Sequence, residues 1–363
     1  MSKNIFVTMP TLAPLSEVTQ LLEGVWDRGI LTHNGPLVRQ FEKEVQDFFK
    51  LSNMVAVSNG TIALQMAIKA LSLKGEIITT PFTWVATISS IIWEKCTPVF
   101  VDIDPETLNI DPQKIEEKIT SNTSAIMPVH VFGNPCDTEA IDVIANKHNL
   151  KVIYDAAHAV GSTYKGKSLL EYGDISATSY HATKMLNTVE GGGCIARTDE
   201  LAKKLERIRF FGHDEQKDIV EDGFNGKMTE VHAAVGIANL QYTQAALNDR
   251  KEKYHFYKST LQCEPQLSFQ KISDGCNCSY FPLIFENESI MNKVLEALAE
   301  KNIHARRYFY PSVNTFSKIV SYRSMPISES IASRIVCLPL YFALPLKELE
   351  LICTIILSVM RKG

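Results

Sequence analysis

Two residues set the chemistry. Asp155 closes an apolar run, Val152-Ile153-Tyr154, and is followed by Ala156-Ala157-His158. Lys184 ends the segment Ser179-Tyr180-His181-Ala182-Thr183-Lys184 and shortly precedes Glu190-Gly191-Gly192-Gly193. A carboxylate at the end of a buried strand and a lysine after the next strand suit pyridoxal phosphate (PLP). The lysine amine forms a Schiff base with the aldehyde; the aspartate pairs with the protonated pyridine nitrogen and keeps the ring an electron sink. Such a lysine must have its pKa lowered, by desolvation or positive neighbours, to act as nucleophile and proton shuttle at neutral pH. Singly, each has a plainer reading: an exposed lysine after a strand, or an aspartate that caps a helix or joins an ion pair.

Other segments fall in the same unit. Ser58-Asn59-Gly60-Thr61 follows a strand and opens a helix. Gly60 allows close backbone approach, and the first-turn amides of the Thr61 helix favour an anion, helped by the helix dipole. Trp84, in Thr83-Trp84-Val85-Ala86-Thr87, could lie flat on a pyridine ring or be a core tryptophan. His158 could reach the cofactor's phenolic oxygen or be a satisfied structural histidine. Glu190–Gly193 is neither a Walker A sequence nor GxGxxG, so it is read as backbone flexibility near Lys184.

These residues need a scaffold. Residues 54 to 197 alternate short apolar strands (Met54–Val57, Glu76–Thr80, Pro98–Ile103, Ala125–Val131, Lys151–Tyr154, Ala177–Tyr180, Gly193–Ala196) with helical patterns such as Thr61–Leu73 and Thr138–His148. Such alternation predicts an α/β fold with a mostly parallel sheet covered on both faces, and ligands collect at the carboxyl ends of its strands. Leu15–Trp26 and Leu37–Phe49 read as helices before this unit, and Val231–Asp249 and Arg250–Leu261 as long helices after it. Beyond about residue 264, strands (Tyr280–Phe285) mix with helices (Ile290–Lys301, Leu346–Met360). The predicted division is 1–248 for a large domain and 249–363 for a smaller one.

Composition narrows the function classes. The chain has 363 residues, 45% hydrophobic and 21% charged, with a formal charge of −4. That is an ordinary soluble balance and gives no reason to expect nucleic acid; the pairs Lys203-Lys204 and Arg306-Arg307 read as solvated faces. No apolar run reaches the ~18 residues a membrane span needs, and Met1 to Pro10 lack a signal pattern. The eight cysteines are scattered, which suits reduced thiols in a cytoplasmic protein; Cys276-Asn277-Cys278 lacks the spacing and partner pair of a zinc site, and no metal is expected.

The segments Pro81–Thr87, Tyr154–Ala159, Ser179–Lys184 and Glu190–Gly192 resemble, in order, the signature segments of the sugar-nucleotide aminotransferases of DegT type. The likeness continues in Gly223-Phe224-Asn225-Gly226-Lys227-Met228 and Cys337-Leu338-Pro339-Leu340 and covers nearly the whole chain. It implies PLP fold type I, the aspartate-aminotransferase-like architecture with a seven-stranded sheet and a smaller C-terminal domain. It implies a homodimer with shared active sites. Gly60, Thr61 and Ser179 would hold the cofactor phosphate, with Asn225 reaching it from the partner subunit. Trp84 would stack on the ring, Asp155 would pair with its nitrogen, and Lys184 would be catalytic and bind the aldehyde.

Many members carry glutamine at the place of His158 and arginine at that of Lys227. His158, the Met185–Thr188 stretch and Lys227-Met228 look most like the members that make dTDP-4-amino-4,6-dideoxy-D-glucose, with L-glutamate as amino donor leaving as 2-oxoglutarate. Such a role belongs to deoxyamino sugar biosynthesis, as for O-antigen or lipopolysaccharide. His181, Tyr308 and Tyr310 are candidate sugar contacts, with Pro311 and the Gly29–Pro36 loop. The alternatives are amination at C3, a PLP-dependent sugar dehydratase, whose members have histidine in place of Lys184, and a non-catalytic regulator on the same scaffold. Borohydride reduction of the PLP-loaded protein should fix the cofactor to the peptide containing Lys184; label on another lysine would refute the assignment.

Overall fold

The computed structural model describes residues 4–361. Seven strands form the main sheet: β1 (Val55–Val57), β2 (Glu76–Thr79), β3 (Thr97–Phe100), β4 (Thr123–Met127), β5 (Lys151–Asp155), β6 (Ile175–Ser179) and β7 (Gly192–Ala196). Their spatial order is β1-β7-β6-β5-β4-β2-β3. Strands β2 to β6 pair in parallel, and β7 runs antiparallel to both β1 and β6. Most residues of these strands are buried, as a sheet covered on both faces requires.

Helices α1 (Leu15–Arg28) and α2 (Pro36–Phe49) precede the sheet. Helices α3 (Gly60–Ala70), α4 (Val85–Trp93), α5 (Thr138–His148) and α6 (Asp199–Arg209) connect or follow its strands. Next come α7 (Glu230–Leu240) and α8 (Thr243–Leu261). The expected break at residue 249/250 is therefore corrected to 241–242. There the Tyr242 amide donates to Asn239 O at 3.1 Å and the Tyr242 hydroxyl to Glu17 at 2.6 Å. No glycine or proline marks that turn, so the periodicity carried no stop signal.

The second domain holds a three-stranded antiparallel sheet, β8 (Leu267–Phe269), β9 (Phe281–Phe285) and β10 (Ile335–Leu338), with α9 (Glu288–Ala299), α10 (Pro326–Arg334) and α11 (Leu346–Met360). A division at 248 falls inside α8. The chain's start also departs from a contiguous division: Ile5–Phe6 pair with Ile303–His304, and Ile5 packs in the second domain's core with Tyr257, Phe281 and Leu298. An apolar pairing partner outweighs sequence proximity here.

Two buried carboxylates lock the pieces together. Glu230, the first residue of α7, accepts the amides of Leu37 and Val38 at 3.0 and 2.9 Å, so it caps α2 and anchors the loop before it. Asp102, just past β3, accepts the amides of Ile327 and Ser328, each at 2.9 Å, and the Ser328 hydroxyl at 2.6 Å. A carboxylate of the first domain thus caps a helix of the second, where the helix dipole favours it. Asp102→Ala should cost about 2–4 kcal/mol, because it removes a cap and strands buried donors. Urea denaturation measures this, and a loss below about 1 kcal/mol would mean that water takes over the cap.

Candidate active site

The carboxyl ends of the parallel strands meet the second domain at a cavity of about 360 Å³, and Lys184 lies within it. Asp155 is the last residue of β5 and Ser179 the last of β6, while Gly60 opens α3 just after β1. The carboxyl ends of β1, β5 and β6 therefore deliver these three residues to one place. Two glycines let the elements close up. A Cβ on Gly60 would sit 2.9 Å from the Ser179 Cβ, and one on Gly192 would sit 2.4 Å from the Asn59 carbonyl carbon.

Asn59 caps α3, its Oδ1 accepting the Ile62 amide at 2.9 Å and its carbonyl the Ala63 amide at 3.1 Å. The amides of Gly60 and Thr61 are left for an anion at the positive end of the helix. Sequence reasoning passed over Asn59, although it lies three residues before the amide it caps, the spacing of a helix start.

Lys184 rides on a pinned loop. The amides of Tyr180 and Ala182 donate to the carbonyls of Gly191 and Val189, both at 2.8 Å, and the Lys184 amide donates to His181 O at 2.8 Å. Asn187 ties the loop to Thr11 O at 2.9 Å. Burial pulls the Lys184 pKa down to about 8; Arg306 adds to this and Asp155 opposes it. The side chain thus has the lowered basicity that a nucleophile and proton shuttle need.

Asp155 is held by two donors. Thr87 Oγ1 donates to Oδ2 at 2.7 Å and the Ala157 amide to Oδ1 at 3.1 Å. Thr87 in turn meets Thr83 at 2.7 Å, one helical turn earlier. Both threonines stand in the quoted segment around Trp84, and their i, i+4 spacing was the readable signal. Burial pushes the Asp155 carboxyl up, against Thr87, Ala157 and Lys184, which favour the ionised form. A carboxylate so placed calls for a cation.

His158 lines the cavity with its ring near Phe132, Phe309 and Tyr280. Burial, then the Lys184 charge, holds it well below the usual histidine range, so it is neutral; its buried Nδ1 has no protein partner. Trp84 caps α4, lines the cavity, and is 56% exposed, which sets aside a core role. The Arg306 guanidinium lies 5.8 Å from the Trp84 ring centroid and 5.1 Å from that of Tyr308. Tyr308, Thr61, Ser179 and His181 also line the cavity.

His181 Nδ1 accepts the Thr183 amide at 3.2 Å, and its Nε2 lies 3.6 Å from Glu190 Oε1. Two predicted site residues stand apart. Tyr310 is outside the lining and stacks under Arg307, with the guanidinium carbon 3.3 Å from its ring centroid. Asn225 is exposed and outside this chain's lining, its Oδ1 accepting from Lys227 Nζ at 2.7 Å. Lys227 itself sits over the rings of Phe210 and Phe211, at 4.6 and 4.7 Å. Tyr280 and Phe309 were missed as lining; both come from the second domain, where no strand-end rule points to a site.

These residues suit PLP. The free helix start matches a phosphate, the raised Asp155 carboxyl a ring cation, the partnerless His158 nitrogen a ring oxygen, and Lys184 an aldehyde. In the protein free of cofactor, Lys184 has a folded pKa below its ordinary value. Its charge therefore opposes folding at neutral pH, and that opposition fades as pH rises from about 8 toward 10.5. Cofactor-free Lys184→Met should be more stable than the parent at pH 7 by on the order of 3 kcal/mol, with the gap closing toward pH 10.5. Denaturant titrations at the two pH values check this, and a pH-independent gap would contradict it.

Comparison with known proteins follows the same lines. Residues 15–357 match the model of the DegT/DnrJ/EryC1/StrS aminotransferase family. The chain is 43% identical over 369 residues to a dTDP-4-amino-4,6-dideoxy-D-glucose transaminase of Shigella dysenteriae, covering 99% of this chain and 100% of that one. It is 37% identical to a transaminase of the same name from Escherichia coli, covering 93% and 94% of the two chains. The crystal structure of DesI in the presence of its TDP-sugar product superposes with a TM-score of 0.93 at 29% identity, covering 100% of this chain and 94% of that one.

Proposed function

Because the chain belongs to the DegT/DnrJ/EryC1/StrS aminotransferase family, we propose that it aminates C4 of dTDP-4-keto-6-deoxy-D-glucose to give dTDP-4-amino-4,6-dideoxy-D-glucose. It is a PLP-dependent sugar aminotransferase. The observation that carries the substrate is the end-to-end 43% identity to a transaminase of that name. The donor in this reading is L-glutamate, which leaves as 2-oxoglutarate.

In this reading each residue takes a role that its setting supports. PLP, when bound, supplies an electron sink for the bonds at the carbon bearing nitrogen. Gly60 and Thr61 offer backbone amides to its phosphate, with the Ser179 hydroxyl beside them. Asp155, fixed by Thr87 and Ala157, holds the proton on the ring nitrogen. Trp84 covers the ring, and neutral His158 serves the ring oxygen. Lys184 would bind the aldehyde and would move the proton at the substrate carbon, its lowered pKa suiting it to release and retake that proton near neutral pH. Arg306, a cation at the cavity, faces the anionic parts of the substrates. His181 and Tyr308 are the sugar-side contacts of this reading.

The enzyme in this reading is a homodimer working in the cytoplasm. Among the described residues no helix is long and apolar enough to cross a membrane. In this reading Asn225, which is exposed and outside the lining of its own chain's cavity, acts on the partner's site. Lys184→Ala, which removes the proton shuttle, should lose several orders of magnitude in turnover while still binding cofactor. Mixing Asn225→Asp with Lys184→Ala should restore activity, since each hybrid dimer has one site free of both changes. No rescue under proven subunit exchange would place Asn225 in its own chain's site. A panel of nucleotide ketosugars with PLP and glutamate, read by NMR of the new amine, tests the substrate. An amine at C3, or reaction of UDP-sugars alone, would overturn it.

A further inference from the structure

Residues 276–280 cross from the second domain beneath the turn that carries His158, and all of them are buried. Asn277 is the tie. Its Nδ2 donates to the carbonyl of His158 at 2.7 Å and to that of Val160 at 2.8 Å. Its Oδ1 accepts the Ser279 amide at 3.0 Å, and its own amide donates to Ser162 Oγ at 3.1 Å. Ser162 passes the link on, its hydroxyl donating to Gly133 O at 2.7 Å. Gly133, at φ +83°, keeps the space open: a Cβ there would lie 2.3 Å from Asn277 Oδ1 and 2.7 Å from His158 O. A side chain that spends both amide hydrogens on the carbonyls of one turn fixes where that turn sits.

Among the described residues none makes a polar contact with the ring of His158. Its flanking rings are Phe132, Phe309 and Tyr280, at centroid distances of 6.1, 6.0 and 4.7 Å. Its buried Nδ1 has no partner. Aromatic faces limit the tilt of the ring but do not set its height or direction; the backbone beneath does, and Asn277 holds that backbone. A hydrogen bond tolerates only a few tenths of an ångström in length.

We propose that Asn277 is a positioning residue: reaching over from the second domain, it holds the His158 backbone so that the imidazole meets the ring oxygen of the bound cofactor. The proposal rests on the role assigned to His158 above. It makes the small domain part of the cofactor's support as well as of the substrate's. The other charged or titratable groups of the cavity that His158 lines are Asp155, His181, Lys184, Glu190, Tyr280, Arg306 and Tyr308, with Arg250 near Tyr280. None of them is altered in the variants below.

The test uses PLP-loaded protein and two readouts: the pH midpoint of the cofactor's visible absorbance, and turnover. Asn277→Ala should shift the midpoint in the same direction as His158→Ala and lower turnover about 10- to 100-fold, the usual result of a displacement near 1 Å. In the His158→Ala background, adding Asn277→Ala should move neither readout further, as for residues acting through one contact. Should Asn277→Ala fail to fold, Asn277→Asp keeps the shape, removes the donor and carries the same expectation. An unmoved midpoint in a folded Asn277 variant, with His158→Ala shifted, overturns the positioning role alone, as does full additivity. An unmoved midpoint in His158→Ala sinks the His158 contact and this proposal together.

Discussion

A carboxylate taken out of water at the end of a strand must meet a positive charge, and much of this molecule is arranged around that demand at Asp155. Its charge is favoured by a threonine hydroxyl, a backbone amide and the distant Lys184, while burial works against it. Lys184 carries the converse problem: a half-buried ammonium lining the cavity, which desolvation and Arg306 both disfavour. The two stay out of a direct ion pair, which would satisfy both and leave nothing for a ligand. A ring bringing a cation to the aspartate and an aldehyde to the lysine, as proposed for PLP here, would relieve both in one event. The sheet supplies the separation, because Asp155 ends β5 and Lys184 lies on the loop between β6 and β7.

The sequence carried the sheet well for a physical reason. Buried parallel strands are continuous apolar runs, and all seven predicted strands are present within a few residues of their predicted ends. Gly60 and Thr61, which open a helix after a strand, and Asp155, which closes one, could be singled out by that rule and Lys184 by its loop, whereas Ser179 came only from the family resemblance. What escaped depends on contacts between distant parts of the chain. Tyr280 and Phe309 enter the cavity from the second domain, and Asn277 grips a turn more than a hundred positions earlier. No periodicity encodes such meetings. The turn at 241–242 was hidden for another reason: its residues are ordinary helix formers, and a tyrosine hydroxyl stabilises the break.

The same contrast separates the two tyrosines proposed for the sugar. Tyr308 and Tyr310 are two residues apart, yet one lines the cavity and the other stacks under Arg307 outside it. In extended chain, alternate residues share a face, which would have put them together. Phe309 lies between them at φ +57°, outside the extended region, so the alternation breaks there.

The chain's first described residues have a mechanical consequence. Because Ile5 packs in the second domain's core and Ile5–Phe6 pair with Ile303–His304, the polypeptide crosses between the domains once before α1 and again through α8. A body tethered at one point can swivel freely; tethered at two, it turns only about the line joining them, like a door on its pins. Cutting the earlier tether, by removing residues up to about 10, would leave the active-site residues in place and pass the hold on that axis to the Asp102 clamp on α10.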